Sequence, residues 1–64
     1  MTKKDYELIA KVISVSVSEA EKAYDTEGKY SLLSLSGRLA FRLKQDNQRF
    51  DEHRFMQACG FSEL

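Results

Sequence analysis

The first hydrophobic pattern in the chain has helical spacing. Thr2 and Asp5 precede it in the order of a capping box, with Asp in place of the usual Glu or Gln. We therefore expect a first helix from about residue 3 to residue 13. Its apolar positions recur every three or four residues, and the pattern includes Tyr6, Ile9, Ala10, Ile13 and Val17.

The next segment, residues 14–28, has no single clear period. Val15 and Val17 alternate with serines as in a strand, but so short an alternation without a partner hairpin favours a bend or a frayed helix end. Ser18 and Glu21 form a second capping-box pattern, and Gly28 is typical of a helix stop. The sequence thus predicts either a short helix over about 18–27 or a continuation of the first helix.

The strongest amphipathic pattern covers residues 31–45 and predicts the central helix. Leu33 and Phe41 lie beside or behind its main apolar stripe. Gly37 costs up to about 1 kcal/mol relative to Ala inside a helix, which favours close approach of a neighbouring helix at that point. The main stripe consists of Leu32, Leu35, Leu39 and Leu43.

A short last helix over residues 52–59 has local signals for both of its ends. Asp51 is the predicted N-cap, and the aromatic residues before and after it have the spacing of a hydrophobic staple. A glycine then allows a Schellman ending, in which Phe61 packs back on Met56. The residues with these structural roles are Phe50, Asp51, Phe55, Cys59, Gly60 and Phe61.

Together these patterns predict an all-α fold, a small bundle of three or four short helices in one domain over residues 1–64. A core of this size rarely contributes more than about 3–5 kcal/mol of stability. Additional stabilisation from a protein partner or a second copy of the chain is therefore expected.

Charge and composition restrict the class of partner. Ten acidic and ten basic side chains cancel, so the chain has no overall attraction for nucleic acid or an anionic membrane. No apolar run reaches the roughly 20 residues that a membrane span needs, and the charged start is unlike a secretory signal.

Cys59 is the single cysteine and fits a buried thiol in a reducing compartment. We therefore expect a cytoplasmic protein without membrane contact.

The sequence has no pattern typical of catalysis or of ligand chemistry. His53 and Cys59 are too few for a structural zinc site, which needs four ligands. They would also lie on one short helix without an orienting third group, which argues against a Cys-His nucleophile. We accordingly expect no enzyme activity, no catalytic residue, no cofactor and no metal.

The central helix has the features most typical of partner binding. Arg38 and Arg42 lie on its polar side, where a solvated helix face is the simpler interpretation and a cationic ridge the functional one. Phe41 lies off the leucine stripe close to Leu33, and an apolar patch of that width favours a partner or self-association. The predicted partner-binding residues are Arg38, Arg42, Leu33, Phe41 and Tyr30.

Both ends of the chain resemble small hypothetical proteins of tailed bacteriophages and prophages. The start matches T-x-x-D-[YF]-x-x-[IL]-A from Thr2 to Ala10, and the end matches D-N-P-R-F-D-x-x-R-F-x-x-A-C-G from Asp46 to Gly60. Gln48 stands in place of the proline. The resemblance implies a phage or prophage product in a bacterial cytoplasm, from a family without an assigned activity.

These observations predict a small non-enzymatic interaction protein that binds and inhibits a host or phage protein, with self-association into a homo-oligomer. One alternative is a nucleic-acid-binding accessory protein that uses Arg38, Arg42, Lys44 and Arg49 on phosphates. Another is a virion or assembly component.

Overall fold

The computed structural model describes residues 1–62 and contains three α-helices in that range. Helix α1 covers Lys3–Lys22, α2 covers Thr26–Asp46 and α3 covers Glu52–Ala58. The three residues between α1 and α2 reverse the chain, so these two helices pack as an antiparallel hairpin. Helix α3 packs against both of them. The predicted all-α fold is confirmed, and residues 1–62 contain no strand.

Helix α1 begins as predicted but continues further. The Asp5 carboxylate accepts a hydrogen bond from the Thr2 backbone N–H at 2.8 Å. The helix then passes without a break through the serine and valine alternation. The predicted end at residue 13 and a separate helix over 18–27 are wrong, and the alternative, a continuation of the first helix, is confirmed. Val17 is buried in the core, and the Ser14 hydroxyl donates to the Lys11 carbonyl at 2.7 Å. Burial of Val17 thus outweighs the modest helix propensity of this segment.

Helix α2 begins at Thr26, before the expected start near residue 31. Asp25 is its N-cap, and the Asp25 carboxylate accepts a hydrogen bond from the Gly28 N–H at 2.8 Å. Gly28 therefore lies in the first turn of α2 and does not end the preceding helix. The C-terminal end at Asp46 agrees with the prediction to within one residue.

Helix α3 has the predicted caps. The Asp51 carboxylate accepts from the Arg54 N–H at 3.0 Å, and the rings of Phe50 and Phe55 lie 5.4 Å apart. At the other end the Phe61 N–H donates to the Met56 carbonyl and the Gly60 N–H to the Gln57 carbonyl, each at 3.0 Å. These two bonds form a Schellman motif, with Gly60 at a φ of 106°.

The core lies between the α1–α2 hairpin and the C-terminal segment. The Lys44 ammonium donates to the carbonyls of Gln48 and Phe50, at 2.6 and 3.1 Å, and so holds the connection to α3 against α2. The aromatic side chains of the core come mainly from the α3 region. The buried apolar residues are Ala10, Ile13, Val17, Ala40, Leu43, Phe50, Phe55, Cys59 and Phe61.

The buried stripe of α2 differs from the predicted leucine stripe. Ser36, Ala40 and Leu43 are buried, whereas Leu35 is 55% exposed. Small side chains at positions 36 and 40 let the neighbouring helices approach closely, which moves the leucines to the edges of the contact. Gly37 is not the point of close approach that the sequence favoured, because a Cβ atom added there meets nothing within 4 Å.

Candidate partner-binding surfaces

Tyr24, in the turn between α1 and α2, has an unusual backbone. Its φ is 54°, in the left-handed region that favours glycine and asparagine. The Asp25 N–H donates to the Ala20 carbonyl at 2.8 Å and the Tyr24 N–H to the Glu21 carbonyl at 3.2 Å, which is the Schellman pattern again. Tyr24 thus takes the place that Gly60 has at the end of α3. Its side chain is 92% exposed and contributes almost nothing to the core.

A groove of about 800 Å³ runs beside this turn, and we call it the tyrosine groove. Tyr24 and Tyr30 line it from the turn and from α2, and Leu33 and Phe61 provide apolar surface. Phe61 is buried and Leu33 is half-buried against the core, so this apolar part is fixed by the fold.

Charged groups also lie along the tyrosine groove. The Lys29 ammonium and the Glu21 carboxylate form an ion pair at 2.8 Å that links α2 to α1. Asp25 lies on the same wall. The groove therefore combines two exposed aromatic rings with a fixed apolar strip and a polar edge. Exposed tyrosines next to a concave apolar surface are typical of protein-recognition sites.

The structure distributes the predicted partner-binding residues over more than one surface. Tyr30 and Leu33 line the tyrosine groove. Phe41 is 57% exposed and lies within about 20° of Tyr30 around the axis of α2, three turns further along. Arg38 and Arg42 are exposed but lie progressively further from this side of the helix, so they do not face the groove.

A second surface, on the side of the hairpin away from α3, was not recognised as such in the sequence. Tyr6 and Ala10 of α1 face α3 across a shared cleft, and Leu33 of α2 meets the C-terminal segment in the tyrosine groove. A step of two residues rotates the chain by about 200° around a helix. Leu8 lies two positions after Tyr6, Val12 two after Ala10, and Leu35 two after Leu33. These three side chains therefore point away from α3.

We call this surface the open flank. Its centre is exposed, with Leu8 at 64%, Val12 at 60% and Leu35 at 55% of their full accessibility. Leu32 and Leu39 are half-buried and pack against the core. The spacing of these residues carries the signal, but the sequence predicts Leu35 only as part of the main apolar stripe of α2 and gives Leu8 and Val12 no role. The open flank consists of Leu8, Val12, Val15, Leu32, Leu35 and Leu39.

A third concave region lies between the start of α1 and α3. It has a volume of about 370 Å³, and Lys3, Arg49 and Arg54 are among the residues that line it. The rings of Tyr6 and Phe50 meet edge to face beneath it, with centroids 4.7 Å apart. Glu7 and Asp51 lie on the same walls, so both charges are present and cations are in excess.

The two reactive side chains that the sequence analysis considers, Cys59 and His53, have different surroundings. Cys59 is fully buried as a free thiol, as the sequence predicts. Burial raises the pKa of the Cys59 thiol above its ordinary value of 9.0, and the neighbouring Ser36 hydroxyl partly opposes that rise. Ser36 Oγ is itself buried and completes no hydrogen bond of ordinary geometry. His53 is exposed, and no group of three or more His, Cys, Asp or Glu side chains in residues 1–62 is arranged to hold a metal ion.

Comparison with known proteins adds no relative to this picture. No protein-family model matches the chain, and neither a curated protein nor a solved structure matches it significantly. Across the described part of the chain, none of the helices has the length and apolar character needed to cross a bilayer.

Proposed function

We propose that this chain is a small non-enzymatic protein that acts by binding another protein through the tyrosine groove. The observation that carries the proposal is Tyr24. A non-glycine residue in the left-handed region costs about 1–2 kcal/mol, and the tyrosine ring returns almost none of that energy because it is solvent-exposed. Backbone strain of this kind occurs preferentially at functional sites.

The groove has the composition of a protein-binding site. Tyrosine provides a large, rigid contact area at a low entropic cost, and Tyr24 and Tyr30 flank an apolar strip that the core already holds in place. Phe41 extends the aromatic surface along α2. We expect the partner to insert an apolar side chain between the two tyrosines and to place polar groups near Glu21 and Lys29.

The cellular setting is part of the proposal. The resemblance of both chain ends to phage and prophage proteins supports a role in a bacterial cytoplasm, with a host or phage protein as the partner. A short chain without a recognisable reaction centre is more consistent with inhibition of that partner by occupancy than with its modification.

Affinity capture from bacterial lysate tests the proposal, with the wild-type chain compared with Tyr24→Gly and Tyr30→Ala. Tyr24→Gly is informative because glycine suits the backbone of that position, so lost binding cannot be attributed to lost folding. Gln57→Ala, an exposed position on α3 outside the groove, is the matched control. We expect one or more proteins to be captured by the wild type and the control and to be lost with both tyrosine variants.

Two outcomes would contradict the proposal. Capture that is unaffected by both tyrosine substitutions would show that the groove is not the binding site. Retardation of nucleic acid at low salt that Arg38→Ala with Arg42→Ala abolishes would instead support the nucleic-acid alternative, because phosphate binding weakens steeply as salt increases.

A further inference from the structure

The concave region between the start of α1 and α3 is a second candidate site, which the proposed function does not use. We call it the aromatic cleft, and we infer that it binds a small molecule in which an apolar ring carries a single carboxylate. The cleft lies at the beginning of α1, whereas the tyrosine groove lies beside the end of that helix. The inference is therefore independent of the proposed function.

The fold holds the floor of the aromatic cleft in place. Phe50 and Phe55 are buried, and their rings lie 5.4 Å apart. The half-buried ring of Tyr6 meets Phe50 edge to face, with 4.7 Å between centroids. All three line the cleft, whose volume of about 370 Å³ falls in the range of about 300–1,000 Å³ typical of small-molecule sites. The apolar ring of a ligand can therefore pack on a fixed aromatic surface.

Three cationic side chains from three different segments meet around this floor. Lys3 is the first residue of α1, Arg49 lies in the connection before α3, and Arg54 lies in α3. Within residues 1–62, none of these three side chains forms an ion pair with a carboxylate. Arginine is well suited to hold a carboxylate through two parallel hydrogen bonds. The cleft thus offers an anion both apolar contact and charge.

The two carboxylates of the cleft limit the charge of the ligand. The Asp51 carboxylate accepts a hydrogen bond from the Arg54 backbone N–H at 3.0 Å, which holds it at the start of α3. Glu7 lies on α1, four residues after Lys3. Three cationic against two anionic side chains leave an excess of one positive charge in the lining. One carboxylate balances that excess, whereas a phosphate monoester, with a charge of about −1.5 to −2 at pH 7, exceeds it.

Titration of the full chain with sodium phenylacetate, followed by NMR of the backbone amides, tests the site. We expect saturable shifts at residues of the cleft, with a dissociation constant of about 0.1–1 mM for a ligand of one ring and one charge. Phenylacetamide has the same ring without the charge and should bind about tenfold more weakly. Phenyl phosphate should also bind more weakly than phenylacetate.

Charge substitutions test the roles of the lining residues. Arg49→Gln and Arg54→Gln should each weaken phenylacetate binding about three- to tenfold, because each removes a cation that holds the carboxylate. Glu7→Gln should tighten binding about two- to threefold, since it removes a repulsive charge. Arg38→Gln, the same exchange on the exposed side of α2 outside the cleft, is the matched control and should leave the affinity unchanged. The NMR spectrum of each variant shows whether it remains folded.

Three results would overturn the inference. One is the absence of saturable shifts up to about 10 mM phenylacetate. Another is an affinity for phenylacetate that Arg49→Gln and Arg54→Gln both leave unchanged in folded chains. The third is binding of phenylacetamide or phenyl phosphate as tight as that of phenylacetate, which would show that a single carboxylate is not what the cleft recognises.

Discussion

The two sides of the α1–α2 hairpin have similar helical spacing of apolar residues but different surroundings. On one side Ala10, Val17 and Ala40 are buried beneath α3 and its flanking aromatic residues. On the other, Leu8, Val12 and Leu35 remain exposed. The difference arises because α3 packs against only one side of the hairpin. An amphipathic period therefore identifies an apolar face without identifying what covers it.

The largest expected contrast between the two sides is in stability. Phe55→Ala on the covered side should lower the free energy of unfolding by about 3–5 kcal/mol, enough to unfold a domain of this size. Leu35→Ala on the open flank should lower it by less than about 0.5 kcal/mol, since Leu35 is already exposed. Urea denaturation measures both changes. Equal losses would contradict the distinction between the two sides.

Gly60 should show the next largest effect, because it closes the covered side. Gly60→Ala would hold alanine at a φ of 106° with its Cβ about 3.4 Å from Val17 Cγ1. We expect a loss of about 1–2 kcal/mol in unfolding free energy. Thermal denaturation monitored by circular dichroism provides the measurement, and an unchanged Tm would show that the backbone can avoid the strain.

Gly37 should respond in the opposite direction. The space around it is open and its backbone is helical, so Gly37→Ala should raise the unfolding free energy by up to about 1 kcal/mol. Chemical denaturation of Gly37→Ala and Gly60→Ala in parallel compares their free energies of unfolding. A loss of stability at both glycines would indicate that a neighbouring element approaches Gly37 more closely than the structure shows.

Tyr24→Gly should have a smaller stabilising effect. It relieves left-handed strain but adds chain entropy to the unfolded state, which leaves a net gain of about 0.5 kcal/mol. The same substitution should abolish partner binding. Denaturation and affinity capture on one preparation would show both effects. A clear loss of stability would mean that the Tyr24 ring contributes to the fold.

Cys59 should make stability depend on alkaline pH. Burial raises its pKa in the folded state, so the folded state holds the thiol proton more tightly than the unfolded state does. This contribution is present below the unfolded pKa of 9.0 and is lost as pH rises through the folded pKa. Between about pH 8 and pH 10 the wild type should therefore lose more stability than Cys59→Ala, as measured by urea denaturation. If the stability of the wild type and of Cys59→Ala falls equally with rising pH, the raised pKa of Cys59 does not contribute.

The ends of the helices were predictable from sequence where a local motif determines them. Asp51 and Gly60 specify both ends of α3 through contacts within a few residues. The continuity of α1 was not predictable in the same way, because burial of Val17 by a distant segment decides it. The cap of α2 at Asp25 was not predictable in the same way. A glycine such as Gly28 is typical of a helix end, but this one lies in the first turn of α2.

The partner-binding surface was only partly predictable. Tyr30 and Leu33 were identified, but the exposure and left-handed backbone of Tyr24 depend on how α1 ends, which the sequence left open. The open flank was not predictable from the spacing alone, because the leucine stripe of α2 predicts a single buried face. In the structure Ser36 and Ala40 occupy the centre of the contact that α2 makes with α1 and α3. Which face of α2 is buried depends on packing with those two helices.

The central claim is that this chain acts by binding a protein through the tyrosine groove. Affinity capture with the wild type and with Tyr24→Gly, at matched concentrations, tests this most directly. We predict that the wild type retains a protein that the variant does not, with the helical content of both chains unchanged. A wild type that retains no protein, or a variant that retains the same protein as well as the wild type does, would contradict it.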